Sequence, residues 1–331
     1  MNFNVSSDKH IAGQKLMFGF SGTTLDDELK FLIHSLYAGG IILFACNIKS
    51  PDQLKDLCMS AQEYAKSCGL PPLFIAIDQE GGKVARLKAP FFTTFQGNPA
   101  MTKIEDAIKF GEITAKELHS MGINMDMAPV MDINVKEVDS IMANRAFGDD
   151  PQWVSTMGTA VINTLQKNKI MTVAKHFPGI GRTTLDSHLH LPVLETTFDK
   201  LEKTDLVPFK AAILQDVAAV MLSHIIYTDI DNKWPASLSP KVVKNLLRQK
   251  MGYDKVVITD DIDMKAIKWD IKTVIQQIIA SDIDIALICH KGPNIKKAFD
   301  TMVKCIGKSD KSRSDSIKSV ARIINLKKNY L

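Results

Sequence analysis

The sequence predicts an α/β protein built as a single (β/α)8 barrel of the TIM type, on three observations. Eight short apolar runs alternate with helical patterns along the whole chain. Eight strands close such a barrel, and 331 residues suit one with modest insertions. Many of the runs end in a residue able to do chemistry, at the end where barrels build their active sites. An open, doubly wound sheet is the structural alternative, weakened because no GxGxxG opens a βα unit and no P-loop occurs. All of 1–331 is taken as one barrel domain finished by C-terminal helices.

The first run, Leu16 to Phe20, ends at Ser21-Gly22, and a helical pattern follows from Leu25 to Tyr37. The second is Gly40 to Phe44. Ser50-Pro51 then opens a helix to about Cys68, with Ser at the cap, Pro in the first turn and Gln53 three past the cap. The third run is Leu73 to Ile77. A helix from about Ile104 to Met121 leads to the fourth, Asn124 to Val130. Asp150-Pro151 caps a helix to about Asn168, and Ile170 to Ala174 is the fifth run. One helix is expected from Thr197 to Gln215, before the sixth run, Ala218 to Leu222. Ser239-Pro240 caps a helix to about Lys250. The seventh run is Lys255 to Thr259, Ile271 to Ala280 is helical, and the eighth run is Ile283 to Ile288. Helices near Pro293–Ile306 and Arg313–Lys328 finish the chain.

Composition narrows the function classes. Hydrophobic content of 45% and charged content of 24% are ordinary for a globular chain, which argues against disorder. A net charge of +4 is too small for this length to point to nucleic acid. Basic residues gather late, from Lys304 to Lys328, without aromatic residues between them to stack on bases, so a solvated C-terminal helix is expected there. Cysteines at 46, 58, 68, 289 and 305 are odd in number and form no CxxC, which fits free thiols in a reducing compartment. Met1 to His10 lacks a signal-peptide layout, and no apolar run approaches the ~20 residues of a membrane span. A soluble cytoplasmic protein is the expectation.

The chemistry gathers at the run ends. Asp78 ends run three, Lys175-His176 run five, His224 run six, Asp260 run seven and His290 run eight, while Asp132 follows run four. The stretch Lys175 to Pro192 holds a Lys, three His, an Arg and an Asp, far richer in imidazole than a connector needs. Asp186 and His188 are two apart and share a face in an extended segment, so the carboxylate can orient the imidazole. Asp260 directly continues a buried run and is the inward member of Asp260-Asp261; Asp261 is expected to take backbone N–H groups. Plainer readings stand beside these: a tight turn for Asp78-Gln79-Glu80-Gly81-Gly82, solvated surface for Arg86 and Arg145, a cap or turn for Asp126 and Asp132. His190 and His290 read as structural.

Several of these segments together resemble glycoside hydrolase family 3, in particular its single-domain bacterial β-N-acetylglucosaminidase branch (the NagZ type). They are Gly39 to Phe44, Ile77 to Arg86, Ala128 to Ile133, Asn144 to Pro151, Lys175 to Pro192, Val220 to His224, Trp234 to Ser239 and Ile258 to Met264. The resemblance implies a (β/α)8 barrel and retaining hydrolysis of terminal β-linked N-acetylglucosamine, with no metal or organic cofactor. It implies Asp260 as nucleophile, His188 as acid/base and Asp186 as the residue that holds it. Asp78, Arg86, Arg145, Lys175 and His176 would contact sugar hydroxyls. The implied substrates are small soluble muropeptide fragments, handled in the cytoplasm during cell-wall recycling. Two departures stand out: Ile180 replaces the family's usual His after Phe-Pro-Gly, and Asp263 adds negative charge near Asp260, where it would raise that group's pKa if the two approach.

Two other readings remain. A metal-dependent hydrolase is motivated by His188-x-His190 with His176, His224 and Asp260, although runs one and two offer no His or Asp at their ends. A non-catalytic sugar-binding barrel is motivated by Ile180 and Asp263, and opposed by Asp186, His188 and Asp260 occurring together. On the leading reading, the loop bearing Asp186 and His188 closes over substrate, and His188 is expected away from Asp260 without ligand.

Overall fold

The computed structural model describes residues 7–185 and 190–331. Eight parallel strands close into a barrel: β1 (Leu16–Gly19), β2 (Gly40–Leu43), β3 (Phe74–Ile77), β4 (Met125–Asp126), β5 (Met171–Phe177), β6 (Ala219–Leu222), β7 (Val256–Asp261) and β8 (Ile285–Ile288). Each pairs with its neighbours in sequence, and β1 meets β8 to complete the ring, Met17 opposite Leu287. Strands covered on both faces read as unbroken apolar runs rather than alternating ones. The alternation survives in where the side chains go. Met17, Ile42, Phe74, Val173, Met221, Ile258 and Leu287 fill the inside of the ring. Phe18, Ile41, Leu43, Ile75, Val220 and Val257 join the core shared with the helices.

The surrounding helices are α1 (Asp8–Gln14), α2 (Asp27–Lys30, continued as a π-turn over Phe31–Ser35), α3 (Pro51–Ser67), α4 (Ile104–Ser120), α5 (Pro151–Lys167), α6 (Phe198–Lys203), α7 (Leu206–Leu214), a π-helix at Lys241–Lys250, α8 (Ile271–Ala280), α9 (Pro293–Ile306) and α10 (Asp310–Tyr330). The expected caps form: Ser50 accepts from the Gln53 amide at 3.2 Å, and Asp150 from that of Gln152 at 3.0 Å. The expected single helix from Thr197 to Gln215 is two. Pro208 cannot donate to the carbonyl four residues back, and its ring would crowd that carbonyl, so the helix breaks at Thr204. Two short pairs lie outside the ring: an antiparallel hairpin of Gln79–Gly81 with Val84–Ala85, and a parallel pair of Val193–Leu194 with Ile226–Tyr227.

The C-terminal basic run is not simply solvated. Ile323 and Leu326 of α10 join the barrel's inner core. Lys327 is buried, and its Nζ donates to Gln14 Oε1 and the Gly39 carbonyl, both at 2.8 Å. Arg322 pairs with Asp282 at 2.6 Å and Asp284 at 2.7 Å, and Arg248 also reaches Asp284, at 2.8 Å. One face of α10 therefore plugs the ring. All five cysteines are free thiols. No helix among the described residues is long and apolar enough to cross a membrane.

Candidate active site

Two strands carry one extra residue at the same end of the ring. From Ala174 to Phe177, three steps of β5 run beside two of β6, Val220 to Leu222. From Ile258 to Asp261, three steps of β7 run beside two of β8, Ile285 to Leu287. Neighbouring side chains on a regular strand point to opposite faces, and an inserted residue re-aims one of them. Lys175 and His176 thus reach one cavity together, as do Asp260 and Asp261. That cavity, of about 470 Å3, is lined by Asp78, Arg86, Arg145, Lys175, His176 and Asp260, six of the expected site residues. Asp186 and His188 lie outside the described residues, and so does the expected position of His188 relative to Asp260.

One side of the cavity is a chain of alternating charges. Lys175 Nζ sits 2.9 Å from Asp78 Oδ1 and 2.6 Å from Glu80 Oε1. Arg86 donates to Asp78 at 2.9 Å, and Arg145 holds Glu80 through Nε at 2.9 Å and Nη2 at 2.7 Å. Burial alone would push the Asp78 carboxyl up, but Lys175 and Arg86 outweigh it and hold it down to about 2. Burial likewise opposes ionisation of Glu80, and Lys175 and Arg145 bring it below the ordinary range. Burial would pull Lys175 down, and its two carboxylates keep it high. Five charged groups are thereby tied to one another with little freedom to move.

His176 continues this wall. Its Nδ1 lies 2.8 Å from Asp132 Oδ2, and its Nε2 faces Arg145 Nη2 at 3.4 Å. Asp132 also accepts from the Ile180 amide at 2.8 Å. Asp132 is therefore more than a cap. Asp126 does what was expected of it, taking the Gln79 amide at 3.0 Å at the base of the hairpin. Ile180 itself is buried. The next residue must be glycine, because a Cβ on Gly181 would run into the Ile133 carbonyl.

The opposite side holds the two aspartates of β7. Asp261 accepts from the amides of Asp263 at 3.1 Å and Cys289 at 3.0 Å, the expected structural role. His224 stands behind them, with Nε2 2.8 Å from the Asp261 carbonyl and Nδ1 2.6 Å from Ser237 Oγ. Burial would raise the Asp260 carboxyl, yet it lies below its ordinary value because His224 and the Asp261 amide favour the anion. Asp263 is not among the main influences on it. Asp263 accepts from Asn294 at 2.8 Å, and its charge acts on Asp261, which burial already pushes up. His290, read as structural, has a side chain 73% exposed at the rim of the cavity. His190 is exposed as well.

Glu80 is the residue that sequence reasoning missed as part of the site; Asp132 was noted after run four, with a cap or turn as its plainer reading. The signal for Glu80 was present: like Asp186 and His188, Asp78 and Glu80 are two apart and can share a face. The metal reading finds little here. Both nitrogens of His224 face a protein oxygen, and Nδ1 of His176 faces Asp132. Among the described residues no group of three or more His, Cys, Asp or Glu is arranged to hold a metal ion.

Residues 12–326 match the model of the glycosyl hydrolase family 3 N-terminal domain. Beta-hexosaminidase A of Pseudoalteromonas piscicida is 36% identical over 313 residues, covering 83% of this chain and 52% of that protein. The beta-hexosaminidase of Methylobacillus flagellatus is 34% identical over 83% of this chain and 80% of its own length. The structure of a family 3 β-N-acetylglucosaminidase from Paenibacillus sp. superposes with a TM-score of 0.93 at 34% identity, over 97% of this chain and 62% of that one. This chain thus spans about half of the first relative and under two thirds of the solved one. On the family match and these identities, the chain belongs to glycosyl hydrolase family 3.

Proposed function

We propose that residues 1–331 form one catalytic unit, a retaining exo-β-N-acetylglucosaminidase. The observation that carries this reading is the cavity itself: a carboxylate held as its anion, Asp260, shares it with a wall of paired charges able to bind hydroxyls. The relatives' names support the activity class. Asp260 attacks the anomeric carbon and displaces the leaving oxygen, which takes a proton from His188; a glycosyl-enzyme ester results. His188 then takes a proton from water as the water attacks the same carbon and frees Asp260. Asp186 orients His188. An imidazole titrates near neutrality without heavy desolvation, so it suits both proton transfers. Asp78, Arg86, Arg145, Lys175 and His176 bind the sugar and orient it as the ring flattens. The substrates are small soluble muropeptide fragments in the cytoplasm.

The test is hydrolysis of a chromogenic β-N-acetylglucosaminide. Asp260→Ala is expected to lose activity on the order of 10^3-fold or more; unchanged turnover would sink the nucleophile assignment. His188→Ala should lose far more with poor leaving groups than with activated ones, and equal losses would count against a general acid. Product analysis on a muropeptide-derived disaccharide, with and without phosphate, separates hydrolysis from phosphorolysis. Sugar binding with no turnover of any β-glycoside would favour the non-catalytic barrel.

A further inference from the structure

His176 receives its orientation from one buried carboxylate. Asp132 has no exposed surface. Its Oδ2 lies 2.8 Å from His176 Nδ1 and 3.1 Å from the His176 amide, and its Oδ1 lies 2.8 Å from the Ile180 amide. Both oxygens of Asp132 already accept backbone N–H groups, from His176 and Ile180, so the hydrogen shared with the ring sits on Nδ1. The lone pair then resides on Nε2, where it meets an N–H donor, Arg145 Nη2, at 3.4 Å. Arg145 cannot turn away, because Glu80 holds it through two nitrogens. A hydrogen on Nε2 would place donor against donor at that contact.

We infer that Asp132 is a positioning residue for sugar recognition, fixing His176 in the tautomer whose Nε2 lone pair faces Arg145, so that imidazole and guanidinium keep one arrangement in the wall that meets the sugar. The inference rests on the sugar-binding role proposed for the cavity. Asp132→Asn probes it, since its orientation is dictated: the Ile180 amide needs the side-chain oxygen, which leaves the NH2 group facing Nδ1. The ring must then accept at Nδ1 and carry its hydrogen on Nε2.

The experiment is 15N NMR of the ligand-free, histidine-labelled protein, with His176 assigned by loss of its signals in His176→Ala. The wild type is expected to show hydrogen on Nδ1 and a bare Nε2, and Asp132→Asn the reverse. A wild-type His176 with hydrogen on Nε2, or on both nitrogens, overturns the inference, and this needs no variant at position 132 to fold. In kinetics, Asp132→Asn and His176→Ala should each lower kcat/KM roughly 10- to 100-fold, the scale of a lost bond to a buried partner. The double variant should be no worse than His176→Ala alone, whereas multiplying losses would show a merely structural role. A wild type without glycosidase activity would sink the proposed function and leave the tautomer result standing by itself.

Discussion

Glu80 is 2% exposed and takes three hydrogen-bond donors, the Lys175 ammonium and two nitrogens of Arg145. Neutralising it leaves the Arg145 guanidinium, itself mostly buried, without its partner. Glu80→Gln is expected to destabilise the fold on the order of 3 kcal/mol, and to raise KM as Arg145 loses its place. Thermal unfolding and steady-state kinetics check this, and a variant that melts with the wild type would refute it. At this scale the sequence showed charged residues that end strands or stand in recognisable motifs: Asp78, Lys175, His176 and Asp260. It hid those whose role comes from a partner. Glu80 looks like a turn residue until Arg145 arrives from a distant segment. Asp132 looks like a cap until the ring brings His176 and Ile180 to it. Asp263 looked like a neighbour of Asp260, and the Asn294 amide shows where it points.

Helix boundaries followed local chemistry and were largely legible. Ser50 and Asp150 start their helices where the capping residues stand, and Pro208 marks the break that periodicity alone missed. The role of α10 was not legible, because Lys327 looks in sequence like the solvated Lys328 beside it. Burial brings the Lys327 ammonium down to about 7, from an ordinary 10.5. Between those values the unfolded chain binds more protons than the folded one, so this residue's contribution to stability rises as pH climbs from 7 to 10.5. Lys327→Met removes that dependence. The melting temperature of the wild type relative to Lys327→Met should therefore shift in the wild type's favour between pH 7.5 and pH 9.5, and parallel curves would contradict the burial of this amine.

Across the whole molecule, eight apolar runs sufficed to predict the barrel, while the residues that bend its ladder did not declare themselves. The bulges in β5 and β7 consist of ordinary residues; the ladder on either side reveals them. The seam is equally non-local. β1 pairs with β8, Arg313 of α10 pairs with Asp8 of α1 at 2.9 Å, and the Gly19 backbone packs so closely on Cys289 that no Cβ fits between. A ribosome releases a chain from one end, so every wall residue through Asp260 is made before the strand that closes the ring. Until then β1 has a bare edge, and Met17 and Phe74 lack the plug that α10 supplies. A chain stalled after Ala280 should be cut readily near β1 by protease. One extended by a linker long enough to free Leu331 from the exit tunnel should resist, and equal protection of the two would contradict this order of events. Competence then arrives only once β8 and α10 have emerged, and a nascent chain that already carries its whole binding wall still lacks the ring that holds it in place.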